Sequence, residues 1–326
     1  MSLQKLNIGL AGCGHLGNVH ARLLSEIASS DTNISFAGVY DIETAKSNGA
    51  ANKYNVKAFD TLEKLLSKID TLIIVTSTPS HYETAKEALK KNINLFIEKP
   101  VTSSLKEAGT LIDLAKKTNV KIQVGHVERF NPALTSLGSY KLKPMFIESH
   151  RLAQFNPRGT DVSVIQDLMI HDIDIILNLV KSPIEKIDAN GVSVISNNID
   201  IANARLTFSN GCVANVTSSR ISLKKMRKMR IFQPNAYISI DFLNNKSEVF
   251  KLVELNTESK GLTYPVSDTK KIIYEEPPID TENINPIKNE LETFFNSILE
   301  DKPVKVTLEE GKQAVEVADR IMKIIK

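Results

Sequence analysis

The strongest constraint on this chain is a glycine run set between two different periodicities. Residues 6–11 form a short, almost wholly apolar run, and residues 15–28 carry helical spacing. Between them lies Gly12-Cys13-Gly14-His15-Leu16-Gly17, a G-x-G-x-x-G. Alone, that spacing is a weak signal. Directly after a strand, and opening a helix, it stands in the context that gives it meaning. Gly12 permits a tight turn, Gly14 lets a phosphate approach the backbone, and Gly17 lets the helix pack close to the strand. The helix N-terminus then offers N–H groups and a positive dipole end to a pyrophosphate. Gly12, Gly14, His15, Leu16 and Gly17 are therefore candidate cofactor contacts.

The alternation continues for about 125 residues. Apolar runs at 6–11, 34–40, 71–76, 94–97 and 120–124 are separated by helical patterns at 15–28, 43–54, 61–67, 81–91 and 105–118. Such alternation predicts a parallel sheet with helices on both faces. Strands buried on both faces should be nearly continuous in apolar residues, as these are. The second run ends at Asp41. An acid there can accept both adenosine ribose hydroxyls and repel a 2′-phosphate, which favours NAD over NADP. Thr76, Thr78, Pro79 and His81 follow the next run, at the rim that would border the nicotinamide half. His81 also fits a surface position in the first turn of a helix, and Ser80 an N-cap.

After Gly125 the pattern changes. Residues 131–159 are rich in Asn, Pro and Gly, and one strong helix is expected at 164–180. Alternating runs follow at 186–195, 202–208, 212–219, 228–232, 237–241 and 248–252, and Asn210-Gly211 is a hairpin signal. Helices at 289–298 and 308–325 close the chain. The expectation is α/β overall: a parallel, Rossmann-type domain over 1–125, and an α+β domain with a large, mostly antiparallel open sheet over 126–326. The helix at 308–326 is expected to be able to pack back on the first domain.

Two clusters carry chemistry. Glu98-Lys99-Pro100 follows an apolar strand, placing Lys99 at the sheet's C-terminal rim, where open α/β sheets bind ligands. The Lys99-Pro100 bond is a candidate for cis. The second cluster is Asp167, His171 and Asp174. On a helix these lie within about 60° on one face. Imidazole titrates near neutrality and suits general acid–base work, and a carboxylate one turn away can orient it. A solvated polar face is the plain alternative. No further His or Cys cluster supports a metal, and none is expected.

Composition excludes other classes. With 41 basic and 38 acidic residues the net charge is +3, too balanced to imply nucleic acid. The run 224–230 holds five cations in seven residues, but it lies among strand patterns and suits a solvated face. No apolar run approaches the roughly 18–20 residues needed to cross a bilayer, so no membrane association is expected. Cys13 and Cys212 cannot build a disulfide framework, which suits a reducing cytoplasm.

Taken together, Gly12–Gly17, Glu98-Lys99-Pro100 and Asp167-x-x-x-His171-x-x-Asp174 resemble the Gfo/Idh/MocA oxidoreductases. The resemblance covers nearly the whole chain, including the helix start Thr307-Leu308-Glu309-Glu310-Gly311. It implies an NAD-dependent dehydrogenase acting on a sugar or polyol hydroxyl, with a homodimer or homotetramer formed through the C-terminal sheet. Gly125–Pro132 and Arg151-Leu152 look like the branch that oxidises C3 of UDP-N-acetylglucosamine. An inositol, free-sugar or polyol substrate, an NAD-dependent glycosidase and a non-catalytic NAD or sugar sensor stay open. The resemblance implies Lys99 against the reacting hydroxyl and the cofactor, His171 as base, Asp167 positioning either, and Glu98 as a cofactor contact that also steadies the lysine loop. A diphosphate needs cations, for which Arg129, Arg151 and Arg158 are candidates beside Asn131 and Asp174. Each arginine is equally well an ordinary surface residue.

Overall fold

The computed structural model describes residues 5–156, 162–259, 261–280 and 284–325. The chain divides into two compact units. One comprises Met1–His126 and Ile287–Val315, the other Val127–Pro286 and Glu316–Lys326.

The first unit is built on β1 (Leu6–Ala11), β2 (Ile34–Tyr40), β3 (Lys57–Ala58), β4 (Thr71–Ile74), β5 (Asn94–Glu98) and β6 (Ile122–Gly125). All pair in parallel, in the order β3-β2-β1-β4-β5-β6. The order reverses between β1 and β4, so the chain leaves these two strands toward opposite edges and opens a crevice at their C-terminal ends. The connections are α1 (His15–Ser30), α2 (Thr44–Tyr54), α3 (Leu62–Leu66), α4 (Thr78–Leu89) and α5 (Leu105–Ala115). Ile8, Leu10, Ile73, Phe96 and Ile97 are fully buried, which accounts for the uninterrupted apolar runs. Helix α4 begins three residues before the expected start, because Pro79 suits its first turn.

The second unit carries α6 (Pro132–Thr135) and α7 (Ile170–Val180) beside a sheet of nine strands. These are β7 (Phe146–Leu152), β8 (Ile184–Val192), β9 (Ile201–Phe208), β10 (Val213–Ser219), β11 (Met226–Gln233), β12 (Ala236–Asp241), β13 (Lys246–Glu254), β14 (Leu262–Pro265) and β15 (Lys270–Glu275). Their order is β14-β15-β13-β12-β11-β7-β10-β9-β8. Every pair is antiparallel except β7 with β10. The expected hairpin at Asn210-Gly211 joins β9 to β10, with Gly211 at φ +83°. Strand β7 went unexpected. Its inward positions are Ile147, Ser149 and Arg151, so polar residues sit where the alternation calls for apolar ones.

The expected helix at 164–180 is not uniform. Residues Ile165–Met169 form a π-helical turn, and α7 continues from Ile170. Helix α8 (Pro286–Leu299) buries Leu291, Phe294 and Phe295 in the core that holds Ile8, Leu10 and Phe96. Helix α9 (Leu308–Ile325) opens with a reciprocal cap: Glu310 N–H donates to Thr307 Oγ1, and Thr307 N–H to Glu310 Oε2. Gly311 lets it lie on β6, since a Cβ there would come within 2.7 Å of a Val124 methyl.

Candidate active site

The glycine loop leaves β1 with the geometry a dinucleotide requires. Gly12 has φ +98°, and a Cβ on it would meet the Val75 carbonyl at 2.5 Å. A Cβ on Gly17 would meet the Gly12 carbonyl at 2.0 Å, so only glycine lets α1 start here. At Gly14 a Cβ would meet nothing within 4 Å. That open side, at the N-terminus of α1, fits a pyrophosphate. His15 and Leu16 are exposed on the same first turn.

Asp41 locks the loop to the end of β2. Its carboxylate accepts the Cys13 N–H at 2.6 Å and the Glu43 N–H at 2.8 Å. Glu43 occupies the position before α2, with no capping bond from its side chain. Burial, then the Asp41 charge, pushes the Cys13 thiol up to about 12, so it stays protonated at neutral pH.

His81 departs from the surface position expected for it. It is buried rather than on the surface, and its ring lies 3.0 Å from the Pro100 carbonyl through Nδ1 and 3.0 Å from the Thr76 carbonyl through Nε2. Burial pushes its pKa down, against the pull of those carbonyls. The ring therefore bridges the loop after β4 and the loop after β5. Thr76 is half-buried and Thr78 opens α4, with Pro79 exposed on its first turn.

Lys99 stands at the end of β5, half-buried, and the Lys99-Pro100 peptide is cis. The Glu98 carboxylate beneath it has two partners. Its Oε2 accepts the Lys99 backbone N–H at 3.2 Å, and its Oε1 lies 2.8 Å from His20 Nε2. Gly125 makes room for it, since a Cβ there would come within 2.9 Å of Oε2. His20 is fully buried on α1. Its Nδ1 has no hydrogen-bond partner among the described residues, which assigns the ring proton to Nε2, facing the carboxylate. Sequence reasoning missed His20. The available signal was a histidine three residues beyond Gly17, on the stripe of α1 that faces the sheet.

In the second unit, four expected substrate contacts are engaged elsewhere. Arg129 is buried and grips Asp174 with two bonds of 2.6 and 2.7 Å. Arg151 is buried and grips Asp172 at 2.9 and 3.1 Å, and its third donor meets Glu128 at 2.7 Å. Asn131 caps α6 through the Ala133 N–H and donates to Glu128 and to the Phe242 carbonyl. Arg129, Asn131, Arg151 and Asp174 thus form a scaffold rather than a substrate surface. Removing two cations from water is costly, and only such close carboxylates offset it. Arg158 lies outside the described residues.

The expected three-residue helix face is also revised. Asp174 points into the ion-paired core, whereas Asp167 and His171 are half-buried. Asp167 lies within the π turn, whose repeat is wider than that of a regular α-helix, and His171 lies in the α-helical part that follows. Asp167 instead lines a cleft of about 420 Å³, with Phe155, Asn156, Arg220, Lys225 and Arg227 among its walls. Lys225 and Arg227 belong to the basic run at 224–230, expected to be a plain solvated face. Among the described residues, no group of three His, Cys, Asp or Glu is placed to hold a metal ion. No helix among them is long and apolar enough to cross a membrane.

A reversed parallel sheet with a glycine loop, and a lysine at a strand end, define a nicotinamide-dependent oxidoreductase. Residues 6–126 match the oxidoreductase family with the NAD-binding Rossmann fold, and residues 144–238 match the GFO/IDH/MocA C-terminal domain. The UDP-N-acetylglucosamine 3-dehydrogenase of Acidithiobacillus ferrooxidans is 32% identical over 92% of this chain and 90% of its own. Its solved structure superposes with a TM-score of 0.87 at 30% identity, covering 98% of both chains. The myo-inositol 2-dehydrogenase of Thermotoga maritima is 22% identical over 95% of this chain and 93% of its own. The chain belongs to the Gfo/Idh/MocA family of oxidoreductases.

Proposed function

We propose that this protein is an NAD-dependent dehydrogenase that oxidises C3 of UDP-N-acetylglucosamine or a related sugar nucleotide. One observation carries the substrate choice. Similarity to the Acidithiobacillus enzyme spans both chains almost completely at 32% identity, against 22% for the Thermotoga inositol enzyme.

In this reading the first unit holds the cofactor and the second the substrate. Gly12, Gly14 and Gly17 receive the pyrophosphate, with His15 and Leu16 beside it and Thr76, Thr78 and Pro79 at the nicotinamide half. Asp41 takes the adenosine ribose, and its charge disfavours a 2′-phosphate, so NAD is preferred to NADP. Bound NAD supplies the hydride acceptor. Lys99 hydrogen-bonds the reacting hydroxyl, lowers its pKa and stabilises the developing alkoxide. His171 takes the hydroxyl proton. Asp167 orients the sugar or the imidazole. Glu98, held by His20, fixes the lysine loop and takes no part in proton transfer.

The aromatic row Phe146, Phe232, Tyr237, Phe250 and Tyr274 crosses five neighbouring strands with ring centroids 5.0–5.9 Å apart. Its residues face away from the buried side of the sheet, and Phe232 remains 39% exposed. A second copy of this chain covering that face makes a homodimer or homotetramer. Both cysteines are free and buried, which suits the cytoplasm.

The test is NADH absorbance with UDP-sugars, inositols and free sugars, with a transaminase to draw off a 3-keto product. Net NADH from UDP-N-acetylglucosamine alone is the expected result. Sugar release without net NADH indicates the glycosidase chemistry, and turnover of inositol alone refutes the substrate reading.

A further inference from the structure

The cleft beside Asp167 is built from residues of contrasting kinds. One wall is the π-helical turn with Asp167 and Leu168; another is the chain after β7, with Phe155 and Asn156; a third is the start of β11, with Lys225 and Arg227. Positions 225 and 227 are two apart at a strand entrance, so both side chains can address the same side. Arg220, buried, donates to the Val162 carbonyl at 2.6 Å and supports the floor.

The two outer cations have charge to give. Lys225 is exposed and forms no ion pair among the described residues. Arg227 is 46% exposed, and its one ionic contact among the described residues is with Glu128 Oε1 at 3.4 Å, an oxygen that already accepts Arg151 at 2.7 Å. A guanidinium has five N–H donors, so the contact with Glu128 uses only a small part of what Arg227, which lines the cleft, can donate. Phe155, 40% exposed, adds a flat apolar ring to the same opening. Inositol and free sugars offer these cations no anion and this ring no aromatic face. A nucleoside diphosphate offers both: phosphate oxygens for charge-assisted bonds and a planar base for stacking.

We propose that this cleft binds the nucleoside diphosphate of the substrate, with Lys225 and Arg227 on the phosphates and Phe155 against the base. Asp167, on the facing wall, then meets the sugar hydroxyls. The inference rests on the sugar-nucleotide reading above and names the residues that distinguish that substrate class from unphosphorylated polyols. It also gives the basic run at 224–230 a function its composition alone did not reveal.

Lys225 is the residue to test, because Arg227 also touches Glu128. UDP alone serves as probe by calorimetry and as inhibitor of turnover, with NAD saturating. Lys225→Glu is expected to raise the UDP Kd and the KM for UDP-N-acetylglucosamine about 10- to 100-fold, the range for a charged hydrogen bond. Phe155→Ala should raise both about 5- to 100-fold, the range for one stacked base. In both variants kcat should change by less than about threefold, since neither residue meets the reacting carbon. Lys224→Glu makes the same charge change outside the cleft and should leave Kd and KM unchanged. Wild-type turnover of UDP-N-acetylglucosamine with an unaltered KM in both cleft variants overturns the site and leaves the substrate reading intact. Wild-type enzyme that oxidises only free sugars or inositols, and does not bind UDP, overturns both.

Discussion

The two sheets handle charge in opposite ways. In the parallel sheet the buried acid near the candidate chemistry, Glu98, sits at a strand end against a buried histidine and a backbone N–H. Lys99, the next residue, stands at the rim. In the second unit, acids and arginines are gathered inside: Glu128, Asp172 and Asp174 against Arg129 and Arg151, with Arg227 at the edge. The first arrangement keeps its cation at the rim. The second neutralises its cations among themselves and leaves only its border, Arg227 and Asp167, at a cleft. A buried arginine in this molecule is therefore a structural brace, and substrate contacts are to be sought where the brace meets solvent.

The strongest way to break this contrast is Arg129→Ala. It strands Asp174 without its bidentate partner in a dry interior. Losing one side of a buried pair costs about 3–5 kcal/mol, or roughly 6–20 °C in Tm for a unit of this size. Thermal unfolding checks the value. The double change Arg129→Met with Asp174→Leu should recover most of it, since apolar replacements avoid the desolvation cost. A raised KM with unchanged Tm would instead return Arg129 to the substrate.

Lys99→Ala tests the opposite side. Turnover should fall about 10²- to 10³-fold, the size of losing one preorganised donor to a developing oxyanion. Tm should move by less than about 2 °C, because a half-buried rim lysine supports little of the fold. Full activity in this variant would remove Lys99 from the mechanism.

The same contrast explains what the sequence made legible. The parallel sheet's functional groups come from single short segments: the glycine loop, Asp41 and Glu98-Lys99-Pro100 each lie at the end of an apolar run. Their positions follow from local periodicity plus one topological rule. The second unit's groups meet across the sequence. Arg129 finds Asp174 45 residues away, and Arg151 finds Asp172 21 residues away. Nothing local distinguishes an arginine that will face a carboxylate from one that will face a phosphate. Strand β7 was hidden for the same reason, since Ser149 and Arg151 occupy its inward positions. His20 and His81 were legible as residues but not as buried ones, because the partners that bury them, Glu98 at the end of β5 and the Pro100 and Thr76 carbonyls, belong to other elements.

Asp41 sharpens the comparison at a smaller scale. Asp41→Ala removes the ribose acceptor and the charge beside it, and should reduce the NAD-over-NADP preference about tenfold or more. The ratio of kcat/KM for the two cofactors is the measurement. Because Asp41 also accepts the Cys13 N–H, KM for NAD should rise as well. An unchanged ratio would assign Asp41 to loop structure alone.

The smallest expected effect lies at Asp200, between β8 and β9 in the second unit. Its carboxylate accepts the N–H groups of Val194, Ile195 and Ser196 at 2.7–2.9 Å and the Ser196 hydroxyl at 2.6 Å. Burial alone would raise its pKa. The Ser196 hydroxyl and the three amides outweigh burial and hold it well below the usual carboxylate range. A folded-state pKa below the unfolded value, about 3.9, stabilises the fold at neutral pH, and that stability is lost as pH falls below the unfolded value toward the folded one. Asp200→Asn should therefore cost about 1–3 kcal/mol near neutrality. The gap between the two proteins should narrow below about pH 4, where the carboxylate of the unfolded chain begins to take up a proton while the folded one is still ionised. Tm measured across pH decides it: a gap constant from neutral to acid pH would mean that Asp200 acts through shape, not charge.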